Sequence, residues 1–478
     1  MGGADIAPRS APRAVVTRLA IAILLGGAIL CLPAPASVRP EAWRLLAIFV
    51  GTIAGIVLDA LPMGVMALLG LAASAVTRTV TMSDALAGFS SPVSWLVVMV
   101  FFISRGMVKT GLGARIAYHF MRRLGHTTLG LGYSMAATDL VLAPAIPSTT
   151  ARAGAVVFPI VRSTAEAMGS LPADGTARNL GAYLMLCSFQ ANSITSAMFF
   201  TAMAANPLAA QLAADQHVRI TWLGWAAAAS VPGLLSLLLL PWILARLYPP
   251  AVKQTPGAAD IARQELARRG PMTRAEWLML GTFVLLLGLW IAGARLRVDS
   301  TLAALIGLIV LLLTGVLTWR DILEEREAWS TFIWLSILVM MAGSLSRLGL
   351  VAALSQHLGG LLGGMGWRPA FLVLAVIYFA SRYFFASSTA YLSAMYATFL
   401  AVAIAVGTPP LLAALVFAFF SNLSGGLTHY STGPAPVFFG ARYVPVTAWW
   451  RLGGLVGAVN LVLWLVIGGL WWRVLGLW

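Results

Sequence analysis

Two short hydroxyl-rich stretches constrain this chain more than anything else in it. They are Pro147-Ser148-Thr149-Thr150-Ala151-Arg152-Ala153-Gly154 and Phe385-Ala386-Ser387-Ser388-Thr389-Ala390-Tyr391. Each lies between two apolar arms of roughly 15 residues, shorter than the ~20 that a helix needs to cross a bilayer. Small hydroxyl residues are poor filler for a hydrophobic run. They mark a point where helical backbone opens and its polar groups meet something other than lipid.

The surrounding sequence fixes the solvent. Of 478 residues, 60% are hydrophobic and 10% charged, against about 25% charged in soluble domains. With a mean hydropathy of +0.89, no water-soluble fold can hide this much apolar surface. The apolar runs are continuous rather than alternating, which excludes a transmembrane barrel. The fold class read from the sequence is an all-α polytopic membrane protein. The formal net charge of +15 is the Arg excess of cytoplasmic loops, not a nucleic-acid footprint. Cys31 and Cys187 sit in apolar runs, so neither a disulfide framework nor a metal site is expected.

Candidate spans fall at about 17–34, 41–60, 62–79 and 92–110. Arg9, Arg13 and Arg18 stand before the apolar run of the first, so residues 1–40 read as a cytoplasmic N-terminal tail and first helix. The basic amphipathic piece from Gly111 to His126 is expected at the cytoplasmic surface. A first re-entrant hairpin follows at about 128–165. Next come a span at about 180–205, interrupted by Gln190, Asn192 and Ser193, and one at 221–248. These complete a first repeat over 41–250. Residues 251–275, polar from Lys253 to Arg274, read as a cytoplasmic linker, because six crossings return the chain to its starting side.

The second repeat occupies 276–478. Its spans lie at about 277–294, 299–318 and 328–348, followed by an amphipathic piece at 350–363 and a second hairpin at about 368–405. A polar-interrupted span at 410–436 and a last one at 448–473 complete it. The total is about eleven transmembrane helices plus two re-entrant hairpins. Subtraction supports the repeat. Ser387 minus Ser148 is 239, and the same offset takes Trp95-Leu96 to Trp334-Leu335 and Asn192-Ser193 to Ser431-Thr432. Without its opening helix the first half has five crossings. An odd number inverts the second copy. Inverted repeats with paired interruptions mark a secondary transporter whose site lies where the interruptions meet.

A hairpin tip offers the free N–H groups and partial positive charge of a helix N-terminus. Ser and Thr add adjustable donors. Two such tips suit a substrate with two carboxylates, which needs several donors per carboxylate to replace its water. The same oxygens can instead hold Na⁺. Charges at membrane depth are few: Asp139 and Arg152 flank the first tip and Arg382 precedes the second. Each is either a functional group or a structural pair. His429 is either a pH sensor or a hydrogen-bonded structural histidine.

Four motifs in order, Ala143-Pro144 through Gly154, Gln190-Ala191-Asn192-Ser193 with Ala205-Asn206-Pro207, Ser381 through Ala390, and Ser421 through Pro436, resemble the divalent anion/sodium symporter family. The nearest branch is its citrate/succinate and tartrate/succinate antiporters and plastid 2-oxoglutarate/malate translocators. The family pattern at each tip is Ser-Asn-Thr. Here Thr149 and Ser388 stand in the Asn positions, while Ser148, Thr150, Ser387 and Thr389 match. The resemblance thus carries over carboxylate binding better than sodium binding. It implies exchange of organic di- or tricarboxylates, with Na⁺-coupled symport as the alternative. Any Na⁺ would be held near Ser148, Thr149, Ser388 and Gly433. It also implies a homodimer with an elevator-type transport domain moving against a scaffold, in the inner (plasma) membrane and in contact with its lipids. The expected substrate site is Ser148, Thr149, Thr150, Asn192, Ser193, Ser387, Ser388, Thr389 and Thr432, with no cofactor. A membrane-embedded enzyme would need a carboxylate pair, a metal cluster or an activated nucleophile, and the acidic residues within the spans do not cluster that way. An anion channel would instead show conductance without saturable exchange.

Overall fold

The computed structural model of the chain describes residues 12–35, 38–350, 353 and 366–478. They form an all-α protein. Among the described residues eight helices are long and apolar enough to cross a membrane, and three shorter apolar ones, Met63–Val76, Ser300–Leu313 and Pro410–Gly426, accompany them. This set differs from the expected spans in one instructive way. Ser388–Ala405, an arm of the second hairpin, qualifies as apolar enough to cross. Gly181–Met198 does not, because Gln190, Asn192, Ser193, Thr195 and Ser196 dilute it, although every residue of it is buried. The amphipathic piece expected at 350–363 lies outside the described residues apart from its first residue and Ala353.

Several helices begin where a short polar side chain satisfies a free N–H of the first turn. Thr127 caps Gly130, Thr221 caps Gly224 and Asp299 caps Thr301 and Leu302. Thr273 and Glu276 form a reciprocal capping box at the start of Arg274–Leu296. The Glu276 carboxylate also takes a buried two-pronged ion pair from Arg115 of the surface helix Leu112–Leu124. The linker is not extended: its helix Pro256–Arg269 packs on Leu112–Leu124. Its leading segment pairs with the base of the first hairpin, Thr128 N–H to the Lys253 carbonyl and Thr255 N–H to that of His126.

The helices pack in two groups. Pro12–Cys31, Pro40–Val57, Met63–Val76 and Pro92–Thr110 gather with Arg274–Leu296, Ser300–Leu313 and Arg326–Arg347. The hairpins gather around the two interrupted helices, Gly181–Met198 with Ala205–Ala214 and Pro410–Leu423 with Pro434–Gly440, together with Trp222–Leu247 and Val446–Leu463. Each group mixes elements of both sequence halves.

Candidate functional site: two hairpin tips around two broken helices

The first hairpin runs in as Thr128–Leu142 and out through the π-helical turn Ala151–Val157 and Phe158–Ala167. The second runs in as Trp367–Ala380, passes a 3₁₀ turn at Ser381–Phe384 and runs out as Ser388–Ala405. Ser148 Oγ accepts from the Ala151 N–H at 3.0 Å, and Ser387 Oγ accepts from the Ala390 N–H at 3.3 Å. The offset of 239 maps both partners, 148 to 387 and 151 to 390. The repeated hydroxyl therefore has a repeated role. It caps the outgoing arm and holds the remaining N–H groups toward the tip.

An arginine braces each tip. Arg152 is fully buried. It donates from Nε to Asp139 Oδ1 at 3.2 Å, from Nη1 to the Ile146 and Ala202 carbonyls at 2.7 and 2.8 Å, and from Nη2 to Ser196 Oγ at 2.8 Å. Asp139 also accepts from Asn192 Nδ2 at 3.1 Å and from the Thr195 hydroxyl. Those two carbonyls lie where backbone leaves the helix, and at membrane depth each would otherwise be an orphan. Asn206 and Asn422 serve the same need: Asn206 Nδ2 donates to the Ser196 and Phe199 carbonyls, and Asn422 Nδ2 donates to Asn206 Oδ1 at 2.8 Å.

Arg382 is equally buried but differently partnered. It donates to the Ser387 carbonyl at 3.2 Å, to Ser388 Oγ at 2.6 Å and to the Ser431 carbonyl, and it lies 5.1 Å over the Tyr391 ring. Every acceptor is neutral. Among the described residues no carboxylate is within ion-pair distance of it. Of the two arginines at the tips, one is thus neutralised, Arg152 by Asp139, and among the described residues the other, Arg382, has no carboxylate partner.

Of the expected site residues, Thr150, Ser193 and Ser388 meet the unwound segment between Pro410–Leu423 and Pro434–Gly440, in which Thr432 lies. Thr150 packs on Gly433, where any Cβ would collide with the Thr150 hydroxyl. A Cβ at Gly425 would lie 2.6 Å from Thr432 and 3.9 Å from Ser193 Oγ. Ser388 reaches the same segment through Arg382. Thr150 is exposed and Thr149, Ser387 and Thr432 are half-buried, so the tips stay accessible, with Thr389 buried behind them. Thr432 Oγ1 has no hydrogen-bond partner. Asn192 faces away, its amide protons spent on Asp139. His429 Nδ1 accepts from Trp450 Nε1 at 2.9 Å beside Phe439, a structural setting. Two participants were not among the expected site residues. Gln190 Nε2 donates to the Gly426 carbonyl at 2.8 Å, and Glu327 Oε1 accepts from Ser148 Oγ at 2.6 Å.

Residues 13–478 match the family model described as the sodium:sulfate symporter transmembrane region. Protein YflS of Bacillus subtilis (strain 168) is 52% identical over 461 residues, covering 96% of each chain. The chloroplastic dicarboxylate transporter 1 of Spinacia oleracea is 50% identical over 468 residues, covering 97% of this chain and 82% of its own. In three dimensions the chain resembles the YdaH transporter of Alcanivorax borkumensis, with a TM-score of 0.58 at 13% identity over 97% of this chain and 99% of that one, a likeness of fold. The chain is a multi-pass membrane transporter belonging to the sodium:sulfate symporter transmembrane family, the group to which its divalent anion/sodium symporter motifs point.

Proposed function

We propose that this protein exchanges organic dicarboxylates across the inner membrane, binding the anion between the two hairpin tips. The dicarboxylate transporters among its relatives support the substrate class. The observation that carries the mechanism is Arg382, a buried guanidinium with no carboxylate partner among the described residues. A buried charge is costly unless paired, and an incoming carboxylate is the missing partner. Ser148, Thr149 and Thr150 donate to one end of the substrate, and Ser387, Ser388 and Thr389 to the other. Ser193 and Thr432 close the cage. Asn192 acts through Asp139, by holding the first tip in place.

A sodium ion fits the second tip poorly. Ser388 Oγ, the oxygen that would ligate it, already accepts from Arg382 at 2.6 Å, and two cations repel strongly at that range in a low-dielectric site. A fixed cation in place of a co-transported one removes the need for a Na⁺ gradient and favours exchange. In the elevator reading the hairpin group moves against the other helices within a homodimer whose N-terminus is cytoplasmic. An apolar cleft of about 370 Å³, lined by Phe384, Phe385 and Ala397 on one side and by Phe49, Ile53 and Val57 on the other, offers the kind of unbonded boundary such a movement needs.

Counterflow tests the reading. Proteoliposomes loaded with unlabelled succinate are expected to accumulate labelled succinate without Na⁺, and empty ones are not. Uptake into empty vesicles that requires a Na⁺ gradient would establish symport instead. The tips are tested by Ser148→Gly and Ser387→Gly. Glycine at a cap costs only a few tenths of a kcal/mol relative to serine, so the arms persist while the hydroxyl is lost. Ser387→Gly is expected to weaken succinate affinity roughly tenfold, the worth of one hydrogen bond to a charged group, and Ser148→Gly less, because in the empty carrier Ser148 already donates to Glu327. Unchanged affinity in both variants rules out this placement.

A further inference from the structure

Ser148 has one hydroxyl proton, and it is already committed. Its Oγ donates to Glu327 Oε1 at 2.6 Å while accepting from the Ala151 N–H. A serine hydroxyl donates only once. A substrate carboxylate can take this proton only after the Glu327 carboxylate has left.

Glu327 belongs to the other helix group. It stands in the first turn of Arg326–Arg347, which packs chiefly on Met63–Val76 and Pro92–Thr110. Two nearby acids are engaged by cations: Glu325 with Arg105 at 3.5 Å and Asp321 with Lys109 at 2.6 Å. Among the described residues Glu327 has no ion-pair partner, and the first tip is its one side-chain contact of hydrogen-bond length. The residue as a whole is exposed, which leaves its side chain room to swing away from the tip.

We propose that Glu327 is a tethered competitor for the substrate. In the empty carrier its carboxylate occupies the place of one substrate carboxylate and ties the hairpin group to its neighbour. A carboxylate on the same chain acts at an effective concentration of millimolar order, so even a weak contact competes with dilute substrate. Two carboxylates at one tip also repel each other. Only an anion that brings its own carboxylate to Ser148 releases the tip. An empty carrier stays latched, and transport becomes obligatory exchange. This inference rests on the exchange reading above.

The test compares wild type, Glu327→Gln and Glu327→Ala in proteoliposomes with labelled succinate. Glu327→Ala is expected to lower the KM for external succinate about tenfold, the equivalent of roughly 1.4 kcal/mol. It should also permit uptake into vesicles holding no anion. Glu327→Gln keeps an acceptor for Ser148 but no charge, and should fall between. It is nearly isosteric, so it reads the same sign if the alanine variant fails to fold. A KM unchanged from wild type in the folded variant, with uptake still dependent on internal anion, overturns the latch. Failure of the exchange reading looks different, because wild type itself would then fill empty vesicles.

Discussion

Replacing Arg382 by glutamine is expected to lower succinate exchange about a hundredfold or more without lowering thermal stability. A charge pair about 4 Å apart contributes about 4 kcal/mol at an effective dielectric constant near 20, which approaches a factor of a thousand in affinity. Glutamine keeps a donor for Ser388 Oγ or the Ser431 carbonyl, the two neighbours that Arg382 now joins. It removes a buried cation whose desolvation no carboxylate among the described residues offsets. The thermal midpoint in detergent should therefore stay level or rise. This opposition of signs identifies a functional arginine, since a structural one would lose stability and activity together. Arg382→Lys keeps the charge but not the planar fork that reaches both acceptors, and should be intermediate. A folded Arg382→Gln variant that still exchanges at near wild-type rate would remove the cation from the mechanism.

Much of this was legible in the chain because it lay in local chemistry. The tips stand out as hydroxyl runs inside apolar arms. The offset of 239 pairs them and correctly sets Ser148 against Ser387, which cap equivalent N–H groups. The breaks at Pro144 and Pro147, and at Gly425, Gly426 and Gly433, follow from residues that cannot continue or need not continue a helix. What could not be read was the pairing of charges across long separations. Asp139 and Arg152 lie 13 residues apart, and their sequence alone fits a structural or a functional role; geometry makes them a buried pair. Arg382, like Arg152, is a single Arg beside a tip, yet its role differs, because among the described residues no Asp or Glu reaches it. Glu327 sits in a charged run from Asp321 to Glu327 that resembles any interfacial loop. Its partner Ser148 is 179 residues away, and no periodicity connects the two. Asn192 matches a motif, yet its direction is set by Asp139, a residue that the motif does not include.

Asp139→Ala is the counterpart of the Arg382 experiment, and its largest effect should be on folding. Arg152 has no exposed surface, and Asp139 is 2% exposed. Removing one member of a buried pair leaves the other charge uncompensated, at a cost of about 3–5 kcal/mol. Asn192 Nδ2 and the Thr195 hydroxyl would also lose their acceptor, so the first tip and the break after Met198 should loosen together. The expected result is a thermal midpoint many degrees below wild type in detergent, with exchange lost in proportion to folded protein. The double variant Asp139→Leu with Arg152→Met tests the cause. Replacing a whole buried pair by apolar side chains of similar volume is often near neutral, so most of the lost stability should return. Exchange should recover less than stability, because the Ile146 and Ala202 carbonyls lose the guanidinium that holds them at 2.7 and 2.8 Å, and the tip they position would be free to drift. A double variant no more stable than Asp139→Ala alone would mean that Arg152 is needed for its carbonyl contacts, not for balancing Asp139. The two arginines would then differ less than their partners indicate. If the double variant recovers stability, the arginines do different things. Arg152 is neutralised to build the tip, and Arg382 keeps its charge for the substrate.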